Sequence, residues 1–424
     1  MKRGNWLDSA EALSRLGVRR QSLYASVSRG RIRARPDPQD PRRSLYHAGD
    51  VERLALRQGG RPRNERLAAQ AIDWGNPVLS SAISTVAQGR LWYRGQDAVQ
   101  LAERTSLEEV AALLWQGDPI APLGALTAAD DASAGGETPM QAAYRVLAAR
   151  AGSDAPLYGR SVEALRMEAV GLVAALCAAM VCAAERSSIN RSRGARAVRR
   201  SRSRTAPTTA RTDSLPLHEH LARAWHRPAA ADVMRRALVL LADHELNAST
   251  FATRVAASTG APLSASVLAG FATLSGPIHG GAAAALQGLI ESARRMGIEP
   301  AILASLAQGR PIAAFGHPLY PQGDIRAIAL LQTFPLPPLF EQLRQAAYRL
   351  IGESPNIDFA LAALTASTDL PADAPFVLFA LARCIGWIAH ALEQHQSGSL
   401  IRPRARYTGP ALALLTPPAP YRHR

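Results

Sequence analysis

Apolar positions in residues 6–27 recur at helical spacing in two short runs. Ala10, Leu13 and Leu16 form one stripe behind Ser9, a residue suited to an N-cap, and Leu23 and Val27 form a second. Gly17 lies between them and supplies a tight turn, so the segment predicts helix, turn, helix. Arg19, Arg20, Gln21 and Tyr24 fall at the start of the second helix, where a recognition helix meets DNA. A basic stretch, Arg29-Gly30-Arg31-Ile32-Arg33, follows. The chain then makes a turn-rich excursion from Pro36 to Arg43, returns through Leu45 and Tyr46, and enters a last helix over 50–57.

Gly59-Gly60-Arg61-Pro62-Arg63-Asn64 has the composition of a linker. From Leu67 onward the pattern changes to alanine-rich helical periodicity broken by Gly and Pro. Strand alternation is confined to 78–86 and 91–93, so the body is predicted to be mainly α. The longest apolar run, 169–184, stops short of the ~20 residues a membrane span needs, and no membrane partner is expected. The first seven residues lack an apolar core, so no secretory signal is expected.

The chain has 424 residues and a net charge of +15, and the location of that charge matters. Residues 1–66 hold sixteen Lys/Arg against seven Asp/Glu, and residues 186–211 hold nine Arg and no acid. Each segment carries +9, which leaves the remainder mildly acidic at −3. The second segment is a low-complexity run of Arg, Ser, Thr and Ala that buries too little apolar surface to order itself. It reads as a disordered loop, open to two accounts: a contact to a polyanion, or a tolerated insertion. Three cysteines, Cys177, Cys182 and Cys384, fit neither a metal-site spacing nor a disulfide framework, which points to a reducing cytoplasm.

Chemistry concentrates in four stretches. They are 242–251, with His244; 275–281, with His279; 314–326, with His317 and Arg326; and 355–359, with Asp358. Arg383 and Arg402 come later. Singly, each has a plain structural reading: a His beside Gly-Pro or Gly-Gly caps a helix, Asp358 is an N-cap, and Arg383 pairs with a structural carboxylate. Together they are three histidines, one carboxylate and three arginines in turn-forming contexts. That set suits a multiply anionic substrate and an enolate. Arginines clamp carboxylates bidentately, histidines donate to carbonyl oxygens that gain charge, and a carboxylate serves as base.

These stretches, in this order and spacing, resemble the citrate synthase family. The resemblance runs from about Ile72 to Gly409 and includes Ala82-Ile83-Ser84, the Tyr93-Arg94-Gly95 turn and residues 108–115. It implies large and small helical domains and condensation of acetyl-CoA with oxaloacetate, followed by hydrolysis of citryl-CoA. Residue by residue, His279 matches the donor to the thioester carbonyl, Asp358 the base, and His317 the histidine that polarises the oxaloacetate ketone. His244, Arg326 and Arg383 match oxaloacetate ligands. Arg402 matches the arginine that a partner subunit contributes, which implies a homodimer. No cofactor or metal is implied, only a coenzyme A thioester as co-substrate. Two departures stand out. Ile325 replaces the usual Pro, and Pro321-Gln322-Gly323 lacks a basic residue that many members use on CoA phosphates.

The first sixty residues resemble the winged helix-turn-helix of MerR-like regulators and excisionases. The same shape would also serve as an oligomerisation arm. The expected organisation is a helix-turn-helix domain at 1–63, a large helical domain from 68–280 with 369–424, a small helical domain at 281–368, and a disordered Arg-rich loop at 186–214. Two further readings stay open: a 2-methylcitrate synthase using propionyl-CoA, and a DNA-binding regulator that uses a synthase body as a metabolite sensor.

Overall fold

The protein is described from a computed structural model. It describes residues 6–16, 23, 26–27, 32–37, 40, 43–52, 79–123, 136–194, 215–277, 279–308, 312–405 and 407–410. The chain divides into a unit of residues 1–80 and a unit of residues 81–424.

In the first unit, β1 (Trp6–Leu7), β2 (Ala34–Pro36) and β3 (Ser44–His47) form an antiparallel sheet in the order β1-β3-β2. Helix α1 (Ser9–Leu16) packs Ala12 and Leu16 into a small core with Leu7, Leu23, Ile32, Tyr46 and Val51. Two details of the expected helix change. Asp8, not Ser9, is its cap: the Asp8 carboxylate accepts the Glu11 N–H at 2.8 Å while Glu11 accepts the Asp8 N–H at 3.3 Å. This reciprocal box satisfies two orphan donors, where a serine one residue later would satisfy one. The buried stripe is then Ala12, Leu13 and Leu16, and Ala10 faces solvent. Arg33 grips buried Asp50 through Nε at 2.8 Å and Nη2 at 3.1 Å. Residues 48–52 are helical. Arg19, Arg20, Gln21 and Tyr24 lie outside the described residues.

The second unit begins with a meander of β4 (Ser84–Ala87), β5 (Arg90–Tyr93) and β6 (Gln96–Asp97). Its two turns, Gln88-Gly89 and Arg94-Gly95, have positive φ at both residues, the hairpin geometry that matches strand twist and favours glycine. Helices follow: α2 (Ala98–Arg104), α3 (Leu107–Trp115), α4 (Pro139–Ser153), α5 (Val162–Gly194), α6 (Leu217–Ala224), α7 (Ala231–Leu241), α8 (Ala248–Ser258) and α9 (Leu263–Leu274). The series continues with α10 (Ala282–Met296), α11 (Ile298–Ala307), α12 (Ile325–Leu331), α13 (Pro338–Ile351), α14 (Ile357–Thr368) and α15 (Ala374–Ser397). The body is mainly helical, as its periodicity predicts.

Helix α5 runs to Gly194, nine residues into the stretch read as a disordered loop. A helix already nucleated and packed over its first half extends residue by residue at low cost, and arginine tolerates helix well. Residues 195–214 lie outside the described residues. Counting only the uninterrupted apolar run also understated two helices. Residues 162–185 and α15 both reach the length and hydropathy of a membrane span, and the most apolar window of each is 61% and 89% buried within the protein itself.

Two large hydrophobic clusters fill this unit, beside a minor one of Ala142, Ala179 and Ala183 between α4 and α5. The larger joins the meander to α2–α9 and α15. The smaller gathers Leu286, Ile290, Ile302, Leu343 and Phe359 from α10, α11, α13 and α14. Helix α14 serves both: Ile357, Ala360, Leu361 and Leu364 face the larger cluster, and Phe359 and Ala363 the smaller. Asp358, its second residue, therefore sits at the seam between the two cores.

Candidate active site

His244, His279, His317, Arg326 and Asp358 are each carried by a loop or a helix start. His244 lies between α7 and α8. Asn247 caps α8 through the Thr250 N–H at 3.0 Å, which ends the loop three residues after His244. The His317 loop is clasped to the segment before α14. Phe315 bridges Pro355, Gly316 N–H donates to the Ser354 carbonyl at 2.8 Å, and Asn356 Nδ2 donates to the Gly316 carbonyl at 3.1 Å. Asn356 also caps α14 by accepting the Asp358 N–H at 3.0 Å. The loop that carries His317 and the helix that carries Asp358 are thus one hydrogen-bonded piece.

His244 and His317 meet edge to face, with ring centroids 5.1 Å apart. Tyr320 lies against both rings, its hydroxyl 2.9 Å from His244 Nε2, and Arg326 lies over the Tyr320 ring at 5.4 Å. Arg326 is buried and forked onto Asp324, Nε to Oδ1 at 2.9 Å and Nη2 to Oδ2 at 2.8 Å. Asp324 Oδ1 also caps α12 through the Arg326 N–H, and Oδ2 accepts the Ile357 N–H at 3.0 Å. Arg383 comes from the middle of α15. Its Nε donates to the Leu241 carbonyl at 3.0 Å, and its buried Nη2 has no partner. His279 Nε2 is 2.9 Å from the Ser249 hydroxyl, which also receives Trp387 Nε1–H at 3.2 Å. That hydroxyl has one proton and two acceptors in reach, His279 Nε2 and Asn247 Oδ1 at 2.7 Å.

Burial sets the protonation states. It lowers all three histidines: His279 and His317 to about 4, with Arg383 acting further on His279 and Arg326 on His317. His244 falls well below the ordinary imidazole range through burial, then Arg326 and Arg383. All three are neutral at physiological pH. His317 Nδ1 accepts the Leu319 N–H at 3.2 Å, so its proton sits on Nε2. Asp358 moves the other way, pushed up to about 6 by burial against the opposing pull of Arg326. Asp324 stays below the usual carboxylate range: burial alone would raise it, and Arg326 overrides that.

The structure gathers His244, His279, His317, Arg326, Asp358 and Arg383 into one group, in which His244, Arg326 and Arg383 are buried and His279, His317 and Asp358 half-buried. It leaves Arg402 exposed on the segment after α15, where the Ile401 N–H is anchored to Ser258 Oγ at 3.1 Å. Tyr320, Asp324, Ser249 and Asn356 belong to the group without having been singled out in the sequence. All four stand inside the motif stretches, at cap positions or within a few residues of a histidine or arginine. Among the described residues no His, Cys, Asp and Glu side chains cluster as a metal site would.

Neutral histidines, two buried arginines and one raised carboxylate form a group whose chemistry suits an anionic substrate and a general base. A profile described as "Citrate synthase, C-terminal domain" matches residues 72–404. The chain is 31% identical over 352 residues to the citrate synthase of Haloferax volcanii, covering 76% of this chain and 90% of that one. It is 36% identical over 204 residues to "Citrate synthase 2" of Bacillus subtilis, covering 43% of this chain and 52%, about half, of that relative. The crystal structure of citrate synthase from Thermotoga maritima superposes with a TM-score of 0.62 at 25% identity, covering 81% of this chain and 96% of that one. The chain belongs to the citrate synthase family, whose enzymes turn the acyl group they transfer into an alkyl group.

Proposed function

We propose that the protein condenses acetyl-CoA with oxaloacetate and hydrolyses the resulting citryl-CoA to citrate and CoA. The observation that carries this is the pairing of a raised carboxylate, Asp358, with neutral histidines and with a buried guanidinium whose Nη2 is unpartnered. Asp358 takes a proton from the thioester methyl group. His279 donates to the enolate oxygen as charge develops there, which a Ser249 hydroxyl turned towards Nε2 permits by leaving the proton on Nδ1. His317 donates from Nε2 to the oxaloacetate ketone, and the enolate carbon attacks that polarised carbonyl. Arg326, Arg383 and His244 hold the carboxylates. Water then cleaves the citryl thioester and CoA leaves as the thiol. The two hydrophobic clusters support a small domain over 281–368 set against a large one.

The reading is tested by thiol release with oxaloacetate and a panel of acyl-CoAs. Acetyl-CoA is expected to be preferred. A preference for propionyl-CoA would make the enzyme a 2-methylcitrate synthase, a distinction that one methylene controls through only about 1–3 kcal/mol of pocket fit. No thiol release from any acyl-CoA would sink the catalytic reading and favour a sensor. The pH profile gives a second check. Asp358 must be ionised to act as base, so kcat/KM is expected to fall below an apparent pKa near 6, about tenfold per pH unit. The histidines stay neutral across that range and add no inflection above pH 5. A rate that holds level down to pH 5 would remove Asp358 from the role of base.

We also propose that the N-terminal unit binds duplex DNA. The +9 charge of residues 1–66, the basic side chains at 19 and 20, and a hairpin that leaves Arg35 exposed all support this. Phosphate contacts should dominate, so in a fluorescence-anisotropy titration log affinity should fall linearly with log salt concentration. Replacing Arg19 and Arg20 with Ala should weaken binding and leave thiol release unchanged. Equal binding by that variant would return the unit to the role of an arm.

A further inference from the structure

Next to His244, Asp243 is completely buried and takes no part in the chemistry above. Its backbone is clamped by buried Tyr93: the Asp243 N–H donates to the Tyr93 oxygen at 3.2 Å, and the Tyr93 hydroxyl reaches the Asp243 carbonyl at 3.2 Å. Carboxylate oxygen Oδ2 accepts the Ser84 hydroxyl and lies 3.2 Å from Nε2 of His390, which is also fully buried. Oxygen Oδ1 has no partner. It lies so close to Gly386 that a Cβ there would come within 2.3 Å of it, so glycine is what lets α15 approach. His390 donates through Nε2, and its Nδ1 is also partnerless.

One helical turn before Gly386 stands Arg383, whose Nε is tied to Leu241, two residues before Asp243. Two buried groups of opposite charge, each with an unpartnered atom, are therefore held on neighbouring backbone without an ion pair. Arg326 is arranged differently: Asp324 occupies two of its nitrogens. Burial draws the Arg383 pKa down, and Asp243 is the largest charge opposing that.

We infer that Asp243 is a positioning residue that serves as the stand-off counter-ion of Arg383. It balances the buried guanidinium through space while Ser84, His390 and Tyr93 hold it away from Nη2, which stays open for a substrate carboxylate. Two buried arginines thus work in two ways, one presented by a contact carboxylate and one balanced from a distance. An anion placed so near the pocket also repels the bound dicarboxylate and keeps its affinity moderate. This rests on the reading of the pocket as an oxaloacetate site.

Asp243→Asn keeps the shape and the two hydrogen bonds that Oδ2 accepts, and removes the charge while leaving the amide NH2 at the unpartnered Oδ1 position. By isothermal titration the variant should bind oxaloacetate about tenfold more tightly than wild type, because one repelling charge in a weakly screened site has gone. A residue that merely supported the fold would give weaker or equal binding, and either result overturns the inference. If wild type binds neither oxaloacetate nor succinate, the substrate reading itself fails and takes this with it. A stability cycle tests the pairing without substrate. Arg383→Gln alone should lower the thermal midpoint by leaving Asp243 unbalanced, and adding Asp243→Asn should recover most of the loss. If the double variant melts no higher than Arg383→Gln, the two groups are not a pair. That test stands even where Asp243→Asn alone is too unstable to titrate.

Discussion

Replacing Asp358 with Ala is expected to lower turnover at least a thousandfold while oxaloacetate binding stays within a few-fold of wild type. Under the proposed function the carboxylate is assigned as base, not ligand, and the dicarboxylate is assigned to Arg326, Arg383 and His244. Its raised pKa brings the base closer to its task. A shift from the ordinary carboxylate value to about 6 makes it a stronger base by about 3 kcal/mol. In the proposed mechanism the remaining barrier is left to His279, as donor to the forming enolate. The same shift has a thermodynamic sign. A carboxyl whose folded-state pKa lies above its unfolded value destabilises the fold once pH exceeds the unfolded value, up to the full amount above the folded value. Asp358→Asn should therefore melt no lower than wild type at pH 7 and is expected to melt higher. Turnover within tenfold of wild type would remove Asp358 from the role of base. If Arg402 completes the site of a partner subunit, mixing Asp358→Ala with Arg402→Ala subunits should regain part of the activity. Its absence despite proven exchange would count against a shared site.

The largest expected effect on stability comes from Asp324→Ala. This buried carboxylate makes four bonds: two to the Arg326 guanidinium, one to the Arg326 N–H at the start of α12, and one to the Ile357 N–H at the start of α14. Removing one partner of a buried pair leaves the other charge uncompensated, which costs about 3–5 kcal/mol. Losing the two capped N–H groups adds to that. A shift in thermal midpoint or in denaturant midpoint measures the loss. Oxaloacetate KM should rise as well, because Arg326 loses the fork that orients it and α14 loses its tie to the His317 loop. A variant as stable as wild type would mean that water enters the site and solvates Arg326.

Many features of this protein were readable from local sequence, because local sequence is what creates them. Alanine-rich 3.6 periodicity specifies helices wherever they pack, so the mainly helical body follows from residues 98 onward. Gly beside a polar residue specifies the turns at 88–89 and 94–95. The histidines, Asp358 and the arginines could be picked out because their stretches, in order and spacing, resemble the citrate synthase family, while each alone had a plain structural reading. The helix-turn-helix expectation rests on positions 19–24, of which only Leu23 is among the described residues.

What local sequence could not supply is burial, and burial sets the chemistry. Nothing in Asn356-Ile357-Asp358 indicates that α14 serves two cores at once and so desolvates Asp358 at their seam. Nothing near His244 shows that two arginines from α12 and α15 converge on it and keep it neutral. The roles of Asp324 and Asp243 depend on partners 33 and 147 positions away, Ile357 and His390, which only the folded chain brings within hydrogen-bond reach. Even the cap of α1 turned on a reciprocal contact between Asp8 and Glu11 rather than on residue preference alone. Residue type and order determined which groups are present; tertiary packing decided their charge states, because proton affinity depends on the solvent and charges around a group.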